Sequence, residues 1–168
     1  MRTAIVYYSK TGNTKFIVEL MQKTFRNRGI EINLFRALPL RDYSKPLHIN
    51  LRIIYETLIK KGTNIKLEPM GFNPEEYDIT VIASPIWFNT LSPPIQQFLK
   101  MYANKIRKFM VITTSGLDLG CEKIIHSIEK LAKIKPSLCV NIAYSTIKNE
   151  YKLRQLVQEI VDKIISVN

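Results

Sequence analysis

The sequence predicts an α/β fold in which helices cover both faces of a parallel sheet. Strand-like and helix-like patterns alternate from one end of the 168-residue chain to the other. Three of the strand-like runs are almost continuously apolar, as in parallel strands buried on both faces. A chain of this length with 46% hydrophobic residues can bury one core, so we expect residues 1–168 to form a single domain.

Five segments have the pattern of strands. The continuously apolar runs are residues 3–8, 79–83 and 109–113, which we expect in the middle of the sheet. Residues 30–34 alternate between apolar and polar side chains, and residues 138–143 are mixed. Alternation is typical of a half-exposed strand, so these two segments are expected at the edges.

Helical periodicity fills the intervals between these strands, at residues 14–27, 92–102, 124–131 and 153–165. The connection between the second and third strands, residues 38–78, is longer than a crossover requires, and such connections often have a function. It contains a further helical pattern that begins at His48 and has four apolar residues on one face: Ile49, Ile53, Ile54 and Leu58.

The loop after the first strand has the composition of a phosphate-binding loop. Ligands of open parallel sheets bind at the carboxyl ends of the strands. Hydroxyl, amide and glycine residues stand there, directly before a predicted helix: Ser9, Lys10, Thr11, Gly12, Asn13 and Thr14. Their hydroxyls and N–H groups could converge on one phosphate at the positive end of the helix dipole. The alternative is a hydroxyl-rich helix cap without a ligand.

Other phosphate-binding folds are excluded by their motifs. The chain contains neither the G-x-x-x-x-G-K-[ST] sequence of P-loop proteins nor the G-x-G-x-x-G sequence of dinucleotide-binding folds. A phospho-receiver domain needs acidic residues at its strand ends to hold Mg²⁺. The first strand ends here in Tyr8 and Ser9, and the third ends in Ala83 and Ser84.

The loop after the third strand contains the only tryptophan, Trp87. A lone tryptophan usually packs into a core. An indole beside a phosphate site can, however, stack against a planar heteroaromatic ring. Because both loops follow parallel strands, they should emerge at the same edge of the sheet, which favours stacking.

These two loops resemble those of the flavodoxin family. Residues 9–14 match its [ST]-x-T-G-N-T phosphate loop, and residues 84–99 are similar to its G-S-P-I-W-x-G-x-x-x-P-P-x-x-x-F-L stretch. The resemblance extends over the strand and helix order of the chain, apart from the long second connection. It implies a flavodoxin-like three-layer α/β/α sandwich with five parallel strands in the order 2-1-3-4-5, and bound FMN.

The resemblance also implies which residues bind the cofactor. The FMN phosphate would contact the side chains of Ser9, Thr11, Asn13 and Thr14. It would also contact the backbone amides of Lys10 and Gly12. The ribityl chain and the flavin ring would lie along a second segment, with Trp87 or Phe88 against the ring: Ser84, Pro85, Ile86, Trp87, Phe88, Asn89 and Thr90. A third loop, after the fourth strand, would contribute Thr114, Ser115, Gly116, Asp118 and Gly120.

The chain departs from the acidic electron-carrying flavodoxins in three features. It has no aromatic residue between Thr113 and Cys121 to cover the second face of the flavin, and its second connection is longer. Its 25 Lys and Arg residues against 14 Asp and Glu residues give a net charge of +11. Electron carrier and small FMN-dependent NAD(P)H or quinone oxidoreductase therefore both stay open.

The charge bears on the chemistry of a bound flavin. No acidic side chain occurs between Asp78 and Asp118, whereas Lys100 and Arg107 are basic. Two unit charges ~10 Å apart interact by roughly 1.7 kcal/mol at an effective dielectric constant of 20. We predict that several such terms make reduction to the flavin anion easier than in acidic flavodoxins, and that the one-electron-reduced form is not strongly stabilised.

Partners are expected to be a redox protein, with an acidic surface as one possibility, or NAD(P)H. Two alternatives are a flavin-free interaction module of the same fold and a basic protein that binds nucleic acid or an anionic surface. The chain has no recognised nucleic-acid motif, so nucleic acid is not expected. The inserted helix, with Arg52, Lys60 and Lys61, could dock a partner or a membrane surface.

Cys121 and Cys139 are too few for a disulfide scaffold and are expected as small core residues. A redox role is the alternative for Cys121, which stands where the loop after the fourth strand enters a helix. His126 is expected at the surface, and no residue cluster recommends a metal site. No apolar run approaches the ~20 residues that span a bilayer. The first residues lack the pattern of a signal peptide, so the cytoplasm is the expected location.

Overall fold

The computed structural model describes residues 1–44, 50–59 and 61–167. Within them, one sheet is covered by helices on both faces, which confirms the predicted three-layer α/β/α architecture. Three residues named for the predicted inserted helix lie outside the described residues: His48, Ile49 and Lys60.

The described residues contain seven strands: β1 (Thr3–Tyr7), β2 (Ile32–Pro39), β3 (Ile65–Glu68), β4 (Ile79–Trp87), β5 (Thr90–Leu91), β6 (Phe109–Ser115) and β7 (Leu138–Ala143). Five of them are parallel in the spatial order β2-β1-β4-β6-β7, which is the predicted order 2-1-3-4-5. The three central strands are almost entirely buried, as their continuous apolar runs predict.

The sheet is not purely parallel, which corrects the predicted strand count and one predicted edge. β3 pairs antiparallel with residues 36–39 of β2, so β3 forms that edge and β2 is an inner strand. The alternating pattern that indicated an edge lies in residues 30–34, which β3 does not reach. A strand of four residues within a long connection gives too weak a periodic signal to be predicted.

A short hairpin extends the end of β4. β5 turns back antiparallel and pairs Thr90 with Trp87. The two turn residues, Phe88 and Asn89, have φ angles of 50° and 60°, as in a type I′ turn. This β4–β5 hairpin stands at the carboxyl edge of the sheet.

Six α-helices are described: α1 (Asn13–Asn27), α2 (Leu51–Ile54), α3 (Pro93–Tyr102), α4 (Glu122–Ala132), α5 (Tyr144–Lys148) and α6 (Glu150–Ser166). α2 continues as a π-helix over Tyr55–Ile59. The apolar faces of α1 and α6 pack on one side of the sheet, and those of α3 and α4 on the other. The predicted apolar face of α2 is only partly covered, because Ile53 is buried whereas Leu58 is 48% exposed.

Cys121 and Cys139 form a disulfide, which corrects the expectation that both are unpaired core residues. Cys121 directly precedes α4, and Cys139 lies in β7. The chain returns through α4 to the start of β7, which brings the two Cα atoms to 6.0 Å from one another. The two cysteines are 18 residues apart in the sequence, and this spacing alone does not indicate that they are neighbours in the fold.

Membrane-spanning helices and metal-ligand clusters are both absent from the part of the chain that the structure describes. No helix there is long and apolar enough to cross a membrane. No group of three or more His, Cys, Asp or Glu residues there could hold a metal ion. His126 lies on α4 and is exposed.

Candidate functional site

The predicted binding residues lie on three connections at the carboxyl edge of the sheet: the β1–α1 loop, the β4–β5 hairpin and the β6–α4 loop. β1 has β2 on one side and β4 on the other, so the strand order reverses between β1 and β4. The crevice at such a reversal is the usual ligand site of an open α/β sheet.

The β1–α1 loop leaves polar groups without protein partners. Ser9 is 6% exposed, and its hydroxyl has no hydrogen-bond partner among the described residues. Gly12, with a φ of 99°, is the N-cap of α1, and the helix has neither a side-chain cap nor an acidic residue in its first turn. A Cβ atom at Gly12 would meet no atom within 4 Å. A buried unpartnered hydroxyl beside an open helix N-terminus fits an anion such as a phosphate.

A hydrogen bond joins the first loop to the third. The hydroxyls of Thr14 and Thr114 are 2.9 Å apart, and both residues are buried. The structure thus brings together two of the predicted binding residues, with their hydroxyls bonded to one another. Thr11 of the first loop is exposed, and Asn13, the first residue of α1, is half-buried.

Most of the second predicted segment belongs to the sheet. The buried hydroxyl of Ser84 accepts a hydrogen bond from the Ser92 N–H at 3.0 Å and lies 2.9 Å from the Ser92 hydroxyl. It therefore fastens the base of the hairpin. At the other side, the Thr90 hydroxyl is 2.6 Å from that of Ser127 on α4. Only the turn projects beyond the strands, since two further predicted residues continue β4: Pro85 and Ile86.

The two aromatic residues of the hairpin have different surroundings. The Trp87 ring packs edge-to-face on Tyr8 and Tyr43, with ring centroids 5.6 and 5.4 Å away. Phe88 is 44% exposed at the tip of the turn. Of the two rings predicted to lie against a planar ligand, Phe88 is the more exposed, whereas Trp87 packs against two tyrosines.

Side-chain hydrogen bonds hold the β6–α4 loop from within the protein. The Ser115 hydroxyl donates to the backbone carbonyl of Leu117 and lies 3.0 Å from Asn141 Oδ1. Asn141 Oδ1 also accepts a hydrogen bond from the Thr113 hydroxyl at 2.9 Å. Asn141 was not among the residues predicted from the sequence. Its position on β7, the strand beside β6, was the signal that could have indicated it.

The third loop also meets the hairpin turn. A cavity of about 190 Å³ is lined by Asn89 from the turn and by Asp118 and Gly120 from the loop. Gly116 is exposed nearby in the sequence. The structure therefore places predicted residues from the second and third segments around one small cavity.

Similarity to known proteins appears at the level of three-dimensional structure. No protein-family model matches the sequence, and no curated protein matches it. A flavoprotein from Lactobacillus acidophilus, crystallised in complex with FMN, superposes with a TM-score of 0.69 at 19% identity, covering 88% of this chain and 97% of the other. A flavodoxin from the domain Archaea superposes with a TM-score of 0.51 at 13% identity, covering 98% and 99%.

This chain has the flavodoxin-like fold. Identities this low establish the fold alone. In this fold the strand order reverses between β1 and β4, and the predicted loops lie at that point.

The connection after β2 contributes residues to the flavodoxin-like crevice that the sequence analysis missed. Asp42 forms an ion pair with Lys10 of the first loop. Burial raises the pKa of Asp42, but hydrogen bonds from Lys10 and from the Tyr43 N–H outweigh it and lower this pKa below its usual range. Asp42 lies shortly after Pro39, the last residue of β2 beside β1, so the strand-end rule that selected the first loop could have found it.

Tyr43 is anchored by the inserted helical segment. Its hydroxyl donates to Glu56 Oε2 at 2.7 Å, and the Arg52 guanidinium lies 4.9 Å from its ring centroid. Arg52 also pairs with Glu56 at 2.9 Å. Burial, with the hydrogen bond to Glu56, raises the pKa of Tyr43, and burial likewise raises the pKa of Tyr8. These neutral tyrosines form a fixed support for Trp87.

Proposed function

We propose that this chain binds FMN and passes electrons from a reductase or NAD(P)H to a protein or small-molecule acceptor. The supporting observation is the β1–α1 loop, where the buried Ser9 hydroxyl is unpartnered and α1 begins at Gly12 without a side-chain cap. A phosphate ester uses such donors. The fold that the chain shares with a flavoprotein crystallised with FMN supports FMN as the choice among phosphate esters.

The residues present fit the three parts of FMN. The phosphate would be held by the side chains of Ser9, Thr11 and Asn13 and by N–H groups near Gly12. Thr14 would keep this loop in register through its bond to Thr114. FMN supplies the electron-transfer chemistry when bound, and the protein determines its binding, orientation and electrostatic environment.

The flavin ring would lie between the hairpin turn and the third loop. The exposed face of Phe88 offers an apolar contact for the ring. Asn89 and Asp118 line the small cavity between these two segments and would supply polar contacts. The excess of basic residues over this part of the sequence favours a negatively charged reduced cofactor, for the electrostatic reason given above.

FMN titration of the purified protein is the deciding experiment. We expect saturable quenching of FMN fluorescence with one FMN per chain, and visible absorbance that stays with the protein through gel filtration. A chain that leaves FMN fluorescence unchanged at high protein concentration would be a flavin-free module of this fold, and the proposal would fail.

Carrier and oxidoreductase are distinguished with the FMN-loaded protein. An oxidoreductase would be bleached by NADPH or NADH without a helper protein and reoxidised by a quinone. A carrier would be bleached only when a reductase is added. The proposed function covers both, and this measurement assigns one of them.

We propose the cytoplasm as the location. Disulfides in cytosolic proteins are usually transient and take part in redox chemistry or sensing. In that compartment the bond between Cys121 and Cys139 would therefore alternate with the dithiol. Thiol labelling of the protein in intact cells, compared with labelling after lysis under oxidising conditions, measures the fraction of the protein in which Cys121 and Cys139 are reduced.

A further inference from the structure

A second cavity lies on the α4 side of the β4–β5 hairpin. It measures about 240 Å³ and is bounded by the π-helix that follows α2, by the hairpin, by α3 and by α4. Phe88 and Thr90 of the hairpin line this cavity. Phe88 is therefore shared between the cavity and the segment predicted to contact the flavin ring.

The charged groups around this cavity are all basic. Its charged or titratable lining residues are Lys61, Lys123, Lys130 and His126, with no Asp or Glu among them. Among the described residues, none of the three lysines has a carboxylate oxygen within 4.0 Å, whereas seven other basic side chains do. A cleft lined by charges of one sign raises the local concentration of the opposite ion. The expected occupant is therefore an anion.

The uncharged wall of the cavity is fixed and includes a free donor. Thr57 is 2% exposed, and its hydroxyl has no hydrogen-bond partner among the described residues. Gln96 Nε2 donates to the backbone carbonyls of Leu91 at 2.8 Å and Thr57 at 3.2 Å. Together with the bond between Thr90 and Ser127, these contacts hold the four walls in position without using the Thr57 hydroxyl.

We propose that this cavity binds the carboxylate or phosphate group of the small-molecule acceptor, a substrate that is reduced as the FMN that donates the electrons is oxidised. The assignment as a substrate site rests on the proposed function, because it depends on Phe88 lying beside FMN. Pockets for drug-sized ligands usually exceed about 300 Å³, so this cavity accommodates the anionic end of the substrate. The long second connection then has a role, since its residues Thr57 and Lys61 form one wall.

The test uses FMN-loaded protein and inorganic pyrophosphate as the probe. FMN occupies the predicted phosphate loop, so pyrophosphate reports on other anion sites. Two-dimensional NMR should show saturable shifts for His126, Thr57 and Thr90. The same titration is repeated with the variants K61Q/K130Q and Thr57→Val, because Lys61 and Lys130 line this cavity and not the one proposed for the flavin ring.

A matched variant controls for net charge. K23Q/K152Q also removes two lysines, but from α1 and α6 on the opposite face of the sheet. We expect K61Q/K130Q to weaken pyrophosphate binding about tenfold or more, because each substitution removes a charge-assisted contact. Thr57→Val should weaken it by a smaller factor without lowering the melting temperature. K23Q/K152Q should match the wild type.

FMN affinity is measured separately in every sample. Unchanged FMN binding together with the loss of pyrophosphate binding in K61Q/K130Q supports the proposal. Equal weakening by both double variants, or shifts that avoid the cavity, overturns it. If FMN does not bind at all, the proposed function and the substrate assignment fail together, whereas the same variants still decide whether the cavity is an anion site.

Discussion

The β1–α1 loop and the β6–α4 loop meet at the same edge of the sheet but differ in how their polar groups are satisfied. In the first, the Ser9 hydroxyl is buried without a partner, and α1 begins without a side-chain cap. In the second, Ser115 bonds within the protein, and Cys121 at the end of the loop is linked to Cys139. The polar groups of the β6–α4 loop are satisfied by the folded protein itself, whereas the β1–α1 loop keeps hydrogen-bond donors for a ligand. Ligand affinity should therefore depend on the β1–α1 loop and stability on the β6–α4 loop.

The largest effect is expected from the disulfide. Replacing Cys121 and Cys139 together by Ser should lower the free energy of unfolding by about 3 kcal/mol, because the bond closes a loop between residues 18 apart and restricts the unfolded chain. Urea unfolding measures the change, and the reduced wild-type protein should match the double variant. FMN affinity should change little, and a large loss of affinity with unchanged stability would reverse the roles of the two loops.

The next effect distinguishes two glycines with left-handed backbones. Gly12 and Gly29 have φ angles of 99° and 71°, and a Cβ atom at either would meet nothing within 4 Å. Alanine at either position should cost about 1–2 kcal/mol of stability through backbone strain. Only Gly12→Ala should also weaken FMN binding, by about 100-fold, since displaced N–H groups lose charge-assisted hydrogen bonds.

Fluorescence titration with FMN provides the comparison between the two variants. Gly29→Ala is the matched control, because Gly29 has the same kind of strain but follows α1 at its far end. Equal FMN affinity in both variants would show that the N-terminus of α1 does not hold the phosphate.

Two buried serines offer a smaller but sharper contrast. The Ser84 hydroxyl is bonded to Ser92, so Ser84→Ala should lower the free energy of unfolding by about 1–2 kcal/mol. The Ser9 hydroxyl has no partner, so Ser9→Ala should leave the stability of the FMN-free protein unchanged or slightly higher. It should nevertheless weaken FMN binding about tenfold.

Differential scanning calorimetry without FMN and a binding titration with FMN separate the two quantities. A Ser9→Ala protein that is destabilised and binds FMN normally would show that this hydroxyl serves the fold. The Ser84→Ala protein should show the reverse pattern if its hydroxyl only fastens the hairpin.

The fold could be predicted where local pattern and burial agree. The continuous apolar runs that became β1, β4 and β6 are central because strands covered on both faces have no polar side to show. β2 was expected at the edge because β3, which covers only its residues 36–39, is too short to be recognised. The pairing of Cys121 with Cys139 depends on how α4 returns the chain, which no local pattern records.

The candidate site shows the same division. The sequence places Ser9 and Ser84 alike, since each serine stands at the end of an apolar strand. Only the tertiary structure shows that Ser92 satisfies one hydroxyl while the other is left without a partner. Asp42 and Tyr43 were missed because they lie in an irregular connection, although they follow a strand beside β1.

The smallest effect concerns the ion pair at the rim of the first loop. Burial opposes ionisation of Asp42, but the hydrogen bonds from Lys10 and from the Tyr43 N–H hold its pKa below the ordinary value of 3.8. A carboxyl group whose pKa is lower in the folded state stabilises the protein above its unfolded pKa, and this stabilisation is lost as the pH falls through the folded pKa. Because the Asp42 side chain is 68% exposed, the contribution should stay below about 1 kcal/mol.

The Asp42→Asn variant should therefore be slightly less stable than the wild type at pH 7. The difference in stability should shrink as the pH falls below the pKa of an ordinary aspartate. Urea unfolding across this range measures it. A difference that persisted unchanged in acid would assign the role of Asp42 to packing. The same variant should not weaken FMN binding, because it releases the Lys10 ammonium inside the loop that is proposed to hold the phosphate.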